Sequence, residues 1–410
     1  MKTLEKNWNN GQILSVTYDG NGDGEAIFES EINEGIDREL SVQFSGGGVQ
    51  VERLVKQEGL RQPIALNGGG VFRIANGGRF GVLKPKKALP YLCIEALEDG
   101  LTFQMTNSTI QYSLDGKSWI SLPAGTTSTT INTGEKVYLK AIGLTATSSS
   151  GIGRFIFNKK CNLSGTPMSL IHGDEFDKYL SLAGYNYALR QLFYGCGKIV
   201  SVSDDFLPAT TLSSGCYYGM FMGCTSLIKA PKLAATKLAG TSYYYMFQGC
   251  TSLEYAPELP AMAVGSSEYR CMFQNCTALK VAPELPATTL GSACYYDMFN
   301  GCKSLESTPN MPAQNLMADC YGRMFMGCIS LKTAYLPATQ LAPRCYSSIF
   351  NGCSNLSHIE AMFTTEPSDS YTASWVSGVS ATGTFVKNKD ATWNVIGNNG
   401  VPSGWTIISE

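Results

Sequence analysis

Along the first 180 residues apolar and polar side chains alternate in short runs broken by Gly, Asn and Asp, as in Gln12–Tyr18, Glu39–Phe44 and Val49–Val55. Alternation with a period of two predicts half-buried strands. The last two runs are joined by Ser45-Gly46-Gly47-Gly48, which predicts a hairpin. A second hairpin is predicted where Thr109–Leu114 leads through Asp115-Gly116-Lys117 into Ser118–Leu122, and Lys136–Ala141 reads as a further strand. From about residue 190 the pattern becomes a repeated block. Phe-x-x-Cys recurs at Phe193/Cys196, Phe221/Cys224, Phe247/Cys250, Phe273/Cys276, Phe299/Cys302, Phe325/Cys328 and Phe350/Cys353, with Cys spacings of 28, then 26 four times, then 25. An apolar residue follows three positions after each Cys, and a Leu-Pro-Ala-Thr-like segment comes later, as at 207–210, 285–288 and 336–339. Repetition at this period predicts a seven-unit solenoid.

Numbering one unit from Cys294 as position 0 to Cys302 as position 8 puts apolar or aromatic residues at 0, 1, 4, 5 and 8. That stripe suits a short helix, with Gly301 at its exit. Ser304–Pro309 then reads as a short extended segment limited by its proline. Each unit is therefore expected to be one strand plus one helix, and the fold class a mixed β and α/β solenoid behind N-terminal β-sandwich-like domains. The predicted organisation is 1–88, a β-rich attachment domain; 89–180, a β-sandwich spacer; 181–362, the solenoid; and 363–410, a C-terminal cap. Trp375–Val379, Gly383–Val386, Trp393 and Trp405 would form that cap, because an open solenoid end exposes core.

The Met-Phe-x-Gly-Cys-x-Ser-Leu blocks at 220–227, 246–253 and 324–331, with Ala-Pro-x-Leu-Pro-Ala-Thr at 282–288, resemble the BspA-like leucine-rich repeat family over about 185–360. The Asn ladder of the common leucine-rich repeat is missing. Leu40–Gly59 resembles the end of the Bacteroidetes Ig-like modules, and the order of segments from 90 to 405 is similar to that in proteins of gut Bacteroidales and their phages. These resemblances imply surface display, adhesion and recognition, and a small β-sandwich for attachment.

Composition narrows the chemistry. Lys and Arg number 31 against 33 Asp and Glu, a formal net charge of -2, which gives no electrostatic reason to expect nucleic acid or an anionic membrane. Charged residues make up 16%, below the roughly 25% of an ordinary soluble domain. With only His172 and His358, a Ser-His-Asp triad or a multi-His metal site has almost nothing to work with. Glu268 and Asp297 offer no consistent carboxylate pair for glycan cleavage. Asp19–Glu25 lacks the glutamate at the twelfth position of an EF-hand loop, and Gly68–Gly70 is followed by no Lys-Ser/Thr. No cofactor, no metal and no enzymatic activity are expected. No run approaches the ~20 apolar residues of a spanning helix, and Met1–Trp8 lacks the apolar core of a secretory signal, so no membrane insertion or export is expected, with a removed leader as the alternative.

Twelve of the 14 cysteines lie in the repeats without any Cys-x-x-Cys pair. Cysteines at positions 0 and 8 would stand about 12 Å apart on a helix, beyond disulfide reach. They read as columns of compact buried side chains, with bridges between neighbouring units left open. Tyrosines at position 1 lie on the stripe and read as packing. Positions 2 and 3 lie off it and vary from unit to unit, so Tyr218, Tyr244, Tyr245, Arg270, Tyr296, Asp297 and Arg323 are the candidate ligand-binding residues. A solvated face without a ligand is the competing reading.

The resemblance, the unexported start and the expected reduced cysteines together lead to an expected phage virion component, a head fibre or tail fibre assembled in the host cytoplasm. Its expected partners are other virion proteins through residues 1–88 and a host glycan or protein through the solenoid. A homo-oligomer, trimer or dimer, is expected. The alternative is a bacterial cell-surface BspA-like adhesin whose export signal is missing, and a third reading, a polysaccharide-degrading virion enzyme, would need the carboxylate pair that the sequence does not offer.

Overall fold

The computed structural model describes residues 90–410, except 142, 145–148 and 150, and before Pro90 only the backbone of short strands. Among those strands Glu39–Gly46 pairs antiparallel with Val49–Lys56. Met1–Leu89 and Pro90–Glu410 are separate compact units. The Asp19–Asp23 turn, Gly68–Gly70 and most of the proposed attachment domain lie outside the described residues.

Pro90–Glu410 starts with a six-stranded sheet in the order Ile120–Leu122, Ile110–Ser113, Lys136–Lys140, Leu92–Ala96, Cys161–Ser164, Ile199–Val202. The predicted hairpin is present, with Tyr112 opposite Ile120. The Asp115 carboxylate fixes its turn by accepting the Lys117 and Ser118 amides at 2.8 and 2.7 Å and the Ser113 hydroxyl at 2.8 Å, and these bonds hold its pKa well below the usual carboxylate range. The sixth strand belongs to the first repeat and pairs parallel with Cys161–Ser164, so one sheet runs from the spacer segment into the repeats.

The repeats form a solenoid, but the helix expected in each unit is absent. The described chain holds only Ser169–His172, Asp369–Thr372 and the 3₁₀ segment Gly173–Lys178 as helix. The repeats instead turn in steps of four, with a left-handed residue at every fourth position in all but the third unit, whose first corner falls one residue early at Gly240: Ala293 (φ 53), Asp297 (φ 57) and Gly301 (φ 75) in one unit, Asp319, Arg323 and Gly327 in the next. The stripe at 0, 1, 4, 5 and 8 is a period of four, and a period of 3.6 approximates it over so short a span. The hydrogen bonds make the difference plain. Ala293, Tyr295, Asp297, Phe299 and Gly301 donate their amides to Ala318, Cys320, Gly322, Met324 and Met326 of the next unit at 2.8–3.0 Å. The amides between them donate three residues back, as Met298 does to Tyr295. A left-handed conformation costs a non-glycine residue about 1–2 kcal/mol, and the bonds to the neighbouring unit offset it. The glycine of the Gly-Cys pair thus serves the third left-handed corner, as at Gly352 (φ 77), rather than a helix exit.

Side chains pointing inward form columns. Phe155, Phe193, Phe221, Phe247, Phe273, Phe299, Phe325 and Phe350 stack at 5.4–5.9 Å, and Tyr217 through Tyr346 at 5.5–6.0 Å. All fourteen cysteines are buried free thiols. Those at position 8 donate to the Phe carbonyl of the preceding layer at 3.0–3.2 Å.

Both ends of the stack are closed. At the start, Phe155 donates its amide to Leu192 at 2.8 Å and stacks on Phe193. At the finish, Thr384–Lys387 and Thr406–Ser409 extend the parallel sheet of Thr333–Leu336 and His358–Ala361. Trp375 ends the Phe column and donates its indole N–H to Gly400 at 2.9 Å. The Ser374 amide, which in an inner unit would reach the next repeat, donates to Asn399 Oδ1 at 2.8 Å. Among the described residues no helix is long and apolar enough to cross a membrane.

Candidate functional site

Positions 2 and 3 form one outer corner of the turn, and because units stack in register the corner is continuous along the solenoid. Position 2 carries Arg190, Tyr218, Tyr244, Arg270, Tyr296, Gly322 and Ser347; position 3 is the left-handed residue and carries Gln191, Gly219, Tyr245, Cys271, Asp297, Arg323 and Ser348. The structure brings all seven sequence-predicted residues together here.

They interleave as cation and ring. The Arg190 guanidinium lies 3.7 Å from the Tyr218 ring centre. Tyr218 meets Tyr244 edge-on at 5.2 Å and Tyr245 at 5.6 Å. Tyr244 and Tyr245 stack at 4.1 Å with their hydroxyls 3.3 Å apart, an arrangement open to adjacent residues because Tyr245 is left-handed (φ 60). Arg270 stands between Tyr244 at 5.7 Å and Tyr296 at 4.5 Å, and Arg323 lies 5.8 Å from Tyr296 on its other side. Gly322 makes room for this last contact: a Cβ there would stand 2.8 Å from the Tyr296 ring.

Arg323 Nε lies 3.2 Å from Asp297 Oδ1, which also accepts the Asn300 amide at 2.6 Å. Burial raises the Asp297 pKa, with Asn300 and the two guanidiniums pulling the other way. Burial pushes the Cys271 thiol, beneath the ladder, up to about 12, so it stays protonated. The Tyr244 hydroxyl beside it raises the Tyr245 phenol, burial adding to the effect.

The ladder differs from the expectation in exposure. Tyr218, Tyr244, Tyr245, Arg270, Tyr296 and Arg323 are half-buried, and Asp297 is buried at 6%. The ring faces expected to be open are covered by guanidiniums and by each other. The corner is joined at position 6 by the hydrogen-bonded pair Gln248 and Gln274 and by Asn300, all half-buried. Such a corner offers charge and hydrogen-bonding groups. Position 1 tyrosines are at most 1% exposed and serve the core, as their place on the stripe predicts.

Arg190 is the member that sequence reasoning missed. Its signal is its place 28 residues before Tyr218, the spacing of Cys196 and Cys224, in a first unit that has Ala188 and Leu189 where later units carry Cys and Tyr. Among the described residues no three His, Cys, Asp or Glu stand close enough to share a metal ion. No family model, no curated protein and no solved structure matches the chain.

Proposed function

We propose that this is a non-catalytic recognition protein whose solenoid presents the Arg–Tyr corner to a ligand on a cell surface. The observation that carries the reading is the contrast within each unit: the inward Phe and Cys of the Phe-x-x-Cys block recur in all seven units, while the corner mixes Arg, Tyr, Gly and Ser and still assembles into one continuous ladder. In its finer form the reading is a seven-unit BspA-like leucine-rich repeat protein serving as a phage head fibre or tail fibre, anchored through residues 1–88 and contacting host envelope or gut glycans. The free buried thiols support assembly in a reducing compartment, which favours a virion component over a secreted adhesin.

Two measurements test it. Light scattering of the full chain beside a fragment starting at Pro90 should give a defined oligomer and a monomer; two monomers would remove the anchor and favour the bacterial adhesin. Binding of the full chain to gut bacterial cells and a glycan array should be detectable and should fall when Tyr244 and Tyr296 are replaced by Ala; no binding to any surface would sink the recognition reading.

A further inference from the structure

We infer that the corner binds an acidic polysaccharide, with Arg190, Arg270 and Arg323 as the anion-recognising groups. This rests on the recognition reading and fixes the chemistry of the ligand.

Charge is the first argument. Of the three guanidiniums only Arg323 has a carboxylate partner among the described residues, so the corner concentrates unpaired positive charge in a chain whose formal net charge is -2. The second argument is the state of those cations. Arg190 and Arg270 lie against tyrosine rings, and their Nε atoms are buried without a hydrogen-bond partner. Stacking fixes a guanidinium plane, and with Nε buried it is the pair of Nη groups that is left to take the paired oxygens of a carboxylate or sulfate. A guanidinium already oriented loses little freedom on binding.

Spacing and surroundings choose the kind of anion. At about 4.8 Å per unit, Arg190 and Arg270, three units apart, are separated by about 14 Å, and Arg270 and Arg323, two units apart, by about 10 Å. The ligand must therefore be extended, with anions set at intervals. Between them the corner offers phenol hydroxyls and the Gln248, Gln274 and Asn300 amides, partners for hydroxyl groups. Single-stranded nucleic acid places a phosphate at every residue and binds by stacking bases on open aromatic faces. The faces here are taken.

The test is titration calorimetry of the full chain with hyaluronan, heparin, dextran and an oligothymidylate at two salt concentrations. Expected is binding to hyaluronan or heparin that weakens with salt, the two separating carboxylate from sulfate recognition, and no binding to dextran. The double variant R190Q/R270Q should lose about tenfold in affinity per guanidinium while staying folded, with only a slight fall in melting temperature. R190K/R270K keeps the charge without the planar fork and should lie between. Unchanged affinity in R190Q/R270Q, or dextran bound as well as the acidic chains, would overturn the inference and leave the recognition reading standing. Tighter binding of the oligothymidylate would make the corner a nucleic-acid surface. Failure to bind any polysaccharide, with no binding to cells, would sink both.

Discussion

The inward Phe column and the outer corner share one backbone, one register and one spacing, yet the column repeats a single residue from Phe155 to Phe350 while the corner mixes Arg, Tyr, Gly and Ser. The Phe column stays within 5.4–5.9 Å from Phe155 to Phe350. In a stack each inward side chain fills a hole formed by its two neighbours, so a change of size is felt on both sides. At the corner one side of every residue is water, and a neighbour of different shape is accommodated by a tilt, as Tyr218 and Tyr244 do at 65°. Where the sequence of a repeat protein is constant it reports packing; where it varies in register it marks the surface free to acquire a ligand.

The sharpest way to break this comparison is to damage a column in its middle. Phe273 lies between Phe247 and Phe299 at 5.6 Å on either side and is fully buried. Phe273→Ala should lower stability by about 3–5 kcal/mol in urea unfolding of the full chain. Tyr296→Ala, one unit away at the corner, should lower it by less than half as much. Equal losses would mean that the corner is part of the core.

The end of the stack gives the next effect. Asn399 takes the Ser374 amide at 2.8 Å in place of a following repeat and donates to Asp369 at 2.6 Å. Asn399→Ala leaves that half-buried amide without its acceptor and should reduce stability by about 1 kcal/mol, with amide exchange rising first in residues 369–378. Uniform acceleration along the whole solenoid would show that the ends do not act as caps.

Much of this was legible in the sequence, and what was not has identifiable causes. The period, the columns and the hairpin at Asp115 follow from residue type and spacing alone, because burial decides them. The local backbone did not, since apolar positions at 0, 1, 4, 5 and 8 satisfy a helix and a four-residue turn alike. The distinction lies in left-handed residues such as Ala293, Asp297 and Arg323, whose side chains carry little preference for that conformation and whose amides find partners only in the next unit. Likewise the variable positions named the corner, but that its rings would be covered by guanidiniums depends on contacts between side chains of adjacent units, such as Arg190 on Tyr218 and Arg270 on Tyr296, which no single repeat shows.

One inward position departs from its column and so tests the rule from within. Position 0 holds the small residues Ala188, Cys216, Ser242, Cys294, Cys320 and Cys345, but Glu268 in the fourth unit, 4% exposed, with Oε2 accepting the Gly265 amide at 2.7 Å. Burial raises its pKa above the ordinary glutamate value. A carboxyl raised on folding contributes stability that is fully present below its unfolded pKa and is lost as pH rises through its folded value. Glu268→Cys, which restores the column, should therefore gain about 1 kcal/mol at neutral pH and little or nothing below pH 4. A gain independent of pH would assign the effect to packing rather than to the buried charge.

The smallest expected effect on stability is also the one that separates scaffold from reader most cleanly. Arg270 sits between Tyr244 and Tyr296 and is in ion-pair contact with no carboxylate among the described residues. A partly exposed cation–π contact contributes about 0.5–1 kcal/mol, so Arg270→Ala should shift the urea midpoint only slightly. If the corner is a recognition surface, the same variant loses ligand out of proportion to that shift, whereas Phe273→Ala, measured under conditions where it remains folded, keeps the affinity of the native chain. The two substitutions thus act in opposite ways on two readouts. Arg270→Ala with a stability loss as large as that of Phe273→Ala and unchanged binding would return the ladder to the scaffold, as a third packed column that happens to be built from tyrosine and arginine.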